Sequence, residues 1–175
     1  KKLYLVHGWI GTGSRKWFDW LKSELEKTGE WGVVMFDMPD SKNPDADIWA
    51  DFLNKNISEL NEDVFVLGHS AGARAVVRYI ENFPEGIKIG GVILVGGSFK
   101  PIENINFNKL KKHCDNYFCI YSTDDYYIDV KDADIFREKL GRHAKILIME
   151  NKGHFINKDG VVEFPEILNF LLEGK

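Results

Sequence analysis

VFVLGHSAG, residues 64–72, joins a short apolar run to a Gly-x-Ser-x-Gly pentapeptide. The apolar run predicts a buried strand, and residues 73–83 predict a helix with Val76, Val77 and Ile80 on its inner face. A serine at such a strand-to-helix turn is typical of a nucleophile elbow, which lifts the hydroxyl above the sheet edge. The flanking glycines would let helix and strand approach closely. The alternative is an ordinary tight turn in which Ser70 only caps the helix.

The rest of the chain predicts a doubly wound α/β fold. Six apolar runs recur, at residues 3–6, 33–36, 64–67, 92–95, 117–121 and 145–149. The runs are continuous rather than alternating, which is typical of strands buried on both faces. Helical spacing of apolar residues separates most of them. We therefore expect a mainly parallel, six-stranded sheet with helices on both faces and no lid domain. Residues 98–112 are the least regular segment.

Length and composition limit the function classes. The 175 residues predict a single domain spanning residues 1–175. A net charge of −4 without a long run of one sign argues against a nucleic-acid partner. We also expect no membrane segment, no signal peptide and a monomer or small homo-oligomer. Cys114 and Cys119 lack His or Cys neighbours at zinc spacing, so we expect a reducing, cytoplasmic location. No His, Cys or carboxylate cluster has ligand spacing, so we predict no metal, and we expect no cofactor.

The histidines narrow the choice of a general base. In a parallel α/β sheet, ligands bind beyond the carboxyl ends of the strands. His113 and His143 precede strands and so belong to the opposite end, while His69 adjoins Ser70 and cannot easily reach back to its hydroxyl. His7 ends the first strand and is expected to shape the neighbouring loop. His154 follows the last strand in a Gly-His-Phe turn, and it is the predicted base.

The acid is expected after the fifth strand, where Asp124 and Asp125 occur together. Paired acids in a loop are commonly turn formers, so one of the two could only stabilise the turn. We choose Asp125 and keep Asp124 as the alternative. The resulting order Ser70, Asp125, His154 is the order expected of a hydrolase with a nucleophile elbow.

The loop after the first strand completes the predicted site. A tetrahedral oxyanion needs two N–H donors, which we assign to the amides of Ala71 and Trp9. Trp9, Tyr126 and Tyr127 are expected to border the substrate cleft. The glycines of residues 8–13 do not have the spacing of a dinucleotide fingerprint, and no phosphate-binding loop is present.

Several segments together resemble a known family. These are WFDWL at residues 17–21, FDMPD at 36–40, the GHSAGA elbow, STDD at 122–125 and GHF at 153–155. The chain is similar to α/β-hydrolases and, more narrowly, to the small lidless serine hydrolases of the RBBP9/YdeN type. The resemblance implies Ser70 as nucleophile, His154 as base and Asp125, the second aspartate of its pair, as acid. It also implies esterase-like or peptidase-like hydrolysis.

Two departures from the family pattern concern the substrate pocket. The first strand ends in His7-Gly8-Trp9 rather than in the family's glycine-rich loop, and Tyr126 follows Asp125 where proline is common. The leading hypothesis is a cofactor-free hydrolase of small carboxylic esters that forms an acyl-enzyme on Ser70. A peptidase or amidase with the same residues is the alternative. A non-catalytic protein-binding module on this scaffold is a third.

Overall fold

The computed structural model describes residues 1–11, 16–99 and 105–173. Within these residues six strands form one sheet, in the order β2-β1-β3-β4-β5-β6, and all neighbouring strands are parallel. The strands are β1 (Lys2–Val6), β2 (Gly32–Phe36), β3 (Val64–His69), β4 (Gly91–Val95), β5 (Tyr117–Ser122) and β6 (Ala144–Met149).

Helices cover both faces of this sheet. In the described part of the chain they are α1 (Lys16–Lys27), α2 (Ala46–Asn56), α3 (Ala71–Glu81), α4 (Phe107–His113), α5 (Asp132–Leu140) and α6 (Pro165–Glu173). Residues of α2, α3, α4 and α5 share one hydrophobic cluster, and those of α1 and α6 share a second cluster on the other face. The predicted doubly wound α/β fold is confirmed.

The central strands explain why continuous apolar runs predict this sheet. Every residue of β3, β4 and β5 is buried, because helices cover both faces of these strands. The edge strands β2 and β6 are more exposed. The predicted inner face of α3 is also confirmed, since Val76, Val77 and Ile80 are buried.

One segment is more regular than the sequence indicates. Residues 98–112 are predicted to be the least regular part, yet α4 begins at Phe107 and continues past them. The Asn106 side chain accepts a hydrogen bond from the Lys109 amide and so caps this helix, and Leu110 is buried under it. Seven residues are too few for a clear helical period. Residues 100–104 lie outside the described part of the chain.

Candidate active site

Ser70 lies in a strained turn between β3 and α3. Its φ is +55°, which is uncommon for a residue other than glycine. A Cβ at Gly68 would lie 2.5 Å from the carbonyl oxygen of Gly72, and a Cβ at Gly72 would lie 2.5 Å from that of His7. Both glycines are therefore required sterically, because α3 packs directly against the backbone of β1 and β3.

The Ser70 hydroxyl does not cap the helix that follows it. Ser70 occupies the N-cap position of α3 but makes no side-chain capping bond. Its Oγ instead lies 2.8 Å from Nε2 of His154. The structure therefore argues against an ordinary capping serine, and it brings together two residues that are 84 positions apart in the sequence.

A hydrogen-bonded chain continues from His154 to Asp125. Nδ1 of His154 lies 2.8 Å from Oδ2 and 3.0 Å from Oδ1 of Asp125, and both side chains are almost fully buried. Oδ1 also accepts hydrogen bonds from the amides of Tyr127 and Ile128. Because a carboxylate only accepts, Nδ1 carries the proton, and Nε2 presents its lone pair to Ser70 when the ring is neutral.

Asp124 has a different position from Asp125. Its Oδ1 accepts hydrogen bonds from the Ser122 hydroxyl at 2.7 Å and from the Gly153 amide at 2.8 Å. These bonds, with that of Ser122 the larger cause, lower the pKa of Asp124 below its ordinary value. Asp124 thus ties the end of β5 to the loop that carries His154, while Asp125 contacts the imidazole.

The loop after β1 passes directly beside Ser70. A Cβ at Gly8 would lie 2.8 Å from the Cβ of Ser70. The amides of Ile10 and Gly11 donate to the backbone carbonyls of Ser41 and Gly8, so neither serves as an oxyanion donor in this loop. Trp9 precedes these two residues in the chain and lines the same cleft as Ser70, and its role as an oxyanion donor remains a prediction.

The second predicted oxyanion donor, Ala71, is the first residue of α3. Amides in the first turn of a helix have no intrahelical acceptor. The amide of Ala71 also lies at the positive end of the helix dipole, which favours negative charge. Its position fits the prediction without testing it.

A cleft of about 400 Å³ opens over Ser70. It is lined by Trp9, Ile10, His69, Ser70, Tyr127, His154 and Ile156. Trp9 and Tyr127, which were predicted to border the cleft, are 52% and 62% exposed and form its rim. Ile10 and Ile156 were not predicted, because isolated isoleucines in loops give no sequence signal. The cleft wall is therefore mostly apolar around a polar floor.

Tyr126 does not line this cleft. Its hydroxyl lies 3.3 Å from both carboxylate oxygens of Asp159, and its ring packs edge-on against Tyr127. Its predicted role in substrate binding remains untested. Asp159 gave no signal in the sequence.

The other histidines have positions that agree with the elimination above. His7 accepts a hydrogen bond from the Met38 amide through Nε2 and contacts the Gly8 carbonyl through Nδ1, so it shapes the loop beside the elbow.

His69 donates from Nε2 to the carbonyl of His154 and does not contact the Ser70 hydroxyl through that nitrogen. His113 is the last residue of α4, ahead of β5, and His143 is the last residue of a 3₁₀ turn, ahead of β6.

The described residues offer neither a metal-binding cluster nor a membrane-spanning helix. Residues 1–11, 16–99 and 105–173 contain no group of three or more His, Cys, Asp or Glu side chains arranged to hold a metal ion. In the same ranges no helix is long and apolar enough to cross a membrane. Metal independence remains a prediction for experiment.

Comparison with known proteins identifies the family. The profile of the family described as serine hydrolase matches residues 3–173. The chain belongs to this serine hydrolase family. It is 24% identical to the putative hydrolase YdeN of Bacillus subtilis, over 98% of this chain and 94% of that protein. It is 26% identical to the serine hydrolase RBBP9 of Rattus norvegicus, over 93% of this chain and 84% of that protein. The protein is therefore a hydrolase, and the predicted RBBP9/YdeN-like resemblance is confirmed.

Solved structures agree on the fold of this serine hydrolase. The crystal structure of the B. subtilis ydeN gene product superimposes with a TM-score of 0.90 at 24% identity, covering 99% of this chain and 97% of that one. A monoacylglycerol lipase of Paleococcus ferrophilus superimposes with a TM-score of 0.75 at 18% identity, over 99% and 95% of the two chains. Identities this low establish a minimal α/β-hydrolase fold and no substrate.

Proposed function

We propose that this serine hydrolase cleaves small carboxylic esters through an acyl-enzyme on Ser70, with His154 as the base and Asp125 as the acid. The observation that carries the proposal is the continuous hydrogen-bonded chain of these three side chains. Its two links, Oγ to Nε2 and Nδ1 to Oδ2, are each 2.8 Å long. A serine hydroxyl needs an adjacent base to attack a carbonyl, and the base needs a partner that holds its tautomer.

The first half-reaction forms the acyl-enzyme. Oγ of Ser70 attacks the ester carbonyl carbon while Nε2 of His154 takes the hydroxyl proton. The oxyanion of the tetrahedral intermediate then accepts hydrogen bonds from the amides of Ala71 and Trp9. When the intermediate collapses, His154 returns the proton to the departing alkoxide, which leaves as an alcohol. Asp125 stabilises the imidazolium that exists between the two proton transfers.

The second half-reaction releases the acid. A water molecule gives its proton to Nε2 of His154 and attacks the acyl carbon. Collapse of the second intermediate breaks the bond to Oγ, and His154 returns the proton to Ser70. No metal or cofactor takes part, so a chelator such as EDTA should leave the activity unchanged.

The cleft supports a substrate with a short apolar acyl group. Its volume is about 400 Å³, and the exposed rings of Trp9 and Tyr127 form an open rim. Each methylene contributes about 0.8 kcal/mol to binding only where a wall buries it. An acyl chain that extends past the lining residues of this cleft would gain little. We therefore expect acetyl to butyryl esters to be better substrates than palmitoyl esters.

A fluorophosphonate probe and a substrate panel test the proposal. The probe should label the wild type at Ser70 and should not label Ser70→Ala. Acyl esters of increasing chain length and aminoacyl amides should then be compared by kcat/KM, with Ser70→Ala as the control. Preference for the amides would favour a peptidase or amidase. Absence of labelling and of turnover in the wild type would favour a non-catalytic binding module.

The proposal includes a cytoplasmic location, which the two cysteines support. Cys114 and Cys119 are both buried free thiols, which fits a reducing compartment such as the cytoplasm. Burial raises the pKa of Cys114 to about 12, and burial raises that of Cys119 further, so neither is a reactive thiolate near neutral pH.

A further inference from the structure

The loop that carries His154 is strained and must be held by its surroundings. We call residues 150–156 the His154 loop. Asn151 and Phe155 have φ values of +55°, and Gly153 has a φ of +52°. Positive φ at a residue other than glycine costs about 1–3 kcal/mol and persists only where surrounding contacts enforce it. The position of His154 therefore depends on whatever fixes this backbone.

Asp159 provides two of those contacts. Its Oδ2 accepts hydrogen bonds from the amide of His154 at 2.9 Å and from the amide of Ile156 at 3.1 Å. The carboxylate also lies against Gly153, where an added Cβ would be 2.5 Å from Cγ of Asp159. The glycine before His154 is thus required to let this carboxylate reach the loop.

The same carboxylate reaches the segment that carries the acid. Tyr126 directly follows Asp125 in the chain. Its hydroxyl lies 3.3 Å from both carboxylate oxygens of Asp159. The Lys158 ammonium lies 4.2 Å from the centre of the Tyr126 ring. A cation over an aromatic face is attracted by the ring and holds it in place. Asp159 and Lys158 therefore fix Tyr126 from two directions.

Tyr126 connects Asp159 to the wall of the cleft through ring contacts. Its ring packs edge-on against Tyr127 at 4.7 Å between centroids, and Tyr127 packs edge-on against the His154 ring at 5.0 Å. One carboxylate thus connects the backbone of His154, the residue after Asp125 and an aromatic wall of the cleft.

We propose that Asp159 is a positioning residue of this hydrolase, holding His154 in line between Ser70 and Asp125 without touching the substrate. The inference rests on the proposed function, because it assigns His154 the role of base. Asp159 would act through the two backbone amides and through Tyr126.

Three variants separate the parts of this contact. Asp159→Ala removes both acceptors for the loop and the partner of Tyr126. Asp159→Asn keeps a carbonyl oxygen for the two amides and an amide group for the Tyr126 hydroxyl. Asp45→Ala is the matched control, since Asp45 also accepts from two backbone amides, those of Asp47 and Ile48, but at the start of α2 and outside the cleft lining.

The decisive measurement is the proton NMR signal of Nδ1–H of His154, identified by its absence in His154→Gln. This proton bridges to Asp125 and reports the geometry of the site without any turnover. We expect the signal to disappear or broaden in Asp159→Ala and to remain in Asp159→Asn and Asp45→Ala. An unchanged signal in folded Asp159→Ala would overturn the proposal.

Kinetics provide a second readout. A displaced base lowers kcat more than it raises KM, and a misplacement near 1 Å can cost about 10²-fold. We expect a loss of that order in Asp159→Ala and rescue to within roughly threefold of wild type in Asp159→Asn, because its hydrogen bonds are retained. Wild type without turnover or labelling would refute the proposed function, while the NMR comparison would still decide the role of Asp159.

Discussion

The elbow at residues 68–72 and the His154 loop at residues 150–156 are two strained parts of one site, and different kinds of contact hold them in place. Ser70 at the elbow and Phe155 in the loop both have φ near +55°. At the elbow, glycines let the backbones of β1, β3 and α3 pack against one another. In the loop, individual side chains bond to the backbone, both from nearby Asp159 and from distant parts of the chain.

Apart from Asp159, the side chains that bond to the backbone of the His154 loop come from three regions. Trp17 donates through Nε1 to the Phe155 carbonyl at 2.8 Å, and His69 donates to that of His154 at 2.8 Å. Ser122 and Asp124 accept from the amides of Lys152 and Gly153. The elbow is thus fixed by close packing of backbone against backbone, while the loop is fixed by hydrogen bonds from individual side chains. Substitutions should damage the first through packing and the second through individual hydrogen bonds.

The largest expected effect separates the two aspartates that follow β5. Asp125→Asn replaces the acceptor at Nδ1 of His154 with a group that favours the wrong tautomer, so we expect kcat to fall by about 10⁴-fold. Asp124→Asn retains an oxygen for Ser122 and Gly153 and should lower kcat by less than roughly tenfold. Steady-state kinetics on one short ester measure both. The reverse ranking would make Asp124 the acid.

The elbow should fail through overpacking. Gly72→Ala places a Cβ against the His7 carbonyl, which is backbone and cannot move aside, so we expect a loss of about 3 kcal/mol in the free energy of unfolding. Gly32→Ala in edge strand β2 is the control, because an added Cβ there meets nothing within 4 Å. Urea unfolding of both variants tests the difference. Equal stabilities would show that the helix can shift away from β1.

Loss of one hydrogen bond, from Trp17 to the Phe155 carbonyl, should displace the His154 loop. Trp17→Phe leaves the carbonyl of Phe155 without its buried donor, which should cost about 2 kcal/mol of stability and lower kcat. Trp49→Phe is the matched control, since Trp49 donates to the Pro39 carbonyl on the opposite face of the sheet. We expect a similar loss of stability in that variant with a smaller change in kcat. Parallel losses of kcat would indicate a general effect of destabilisation.

The smallest expected effect is on the pH dependence of stability, because Asp124 ties the His154 loop to the end of β5. Hydrogen bonds from Ser122 and, next, Gly153 hold the pKa of Asp124 below its ordinary value of 3.8. The ionised carboxylate therefore contributes stability above that value, and the contribution is lost as the pH falls below 3.8 through the lower folded-state pKa. The difference in Tm between wild type and Asp124→Asn should shrink over this range. A constant difference would mean that ionisation of Asp124 does not stabilise the loop.

Much of the fold was predictable because its signals are local. The apolar runs predicted the six strands, and the Gly-x-Ser-x-Gly motif predicted that Ser70 directly follows β3. The short helix α4 was missed because seven residues capped by Asn106 show no clear period. For the site, strand order alone placed Asp125 and His154 at the correct edge of the sheet. Their catalytic roles await the kinetic tests.

By itself, the sequence determined the parallel sheet, the steric requirement for Gly68 and Gly72, and the set of side chains at the carboxyl edge. The sheet follows from apolar periodicity, and the two glycines follow from the close approach of helix and strand that a nucleophile elbow requires. Only the tertiary structure decided which aspartate contacts His154, which isoleucines line the cleft and that Asp159 bonds to the His154 backbone. Asp125 and His154 lie in loops 29 residues apart, whereas Asp159 is only five residues from His154. In both cases the residues lie in loops, which carry no periodic pattern that would reveal where their side chains meet.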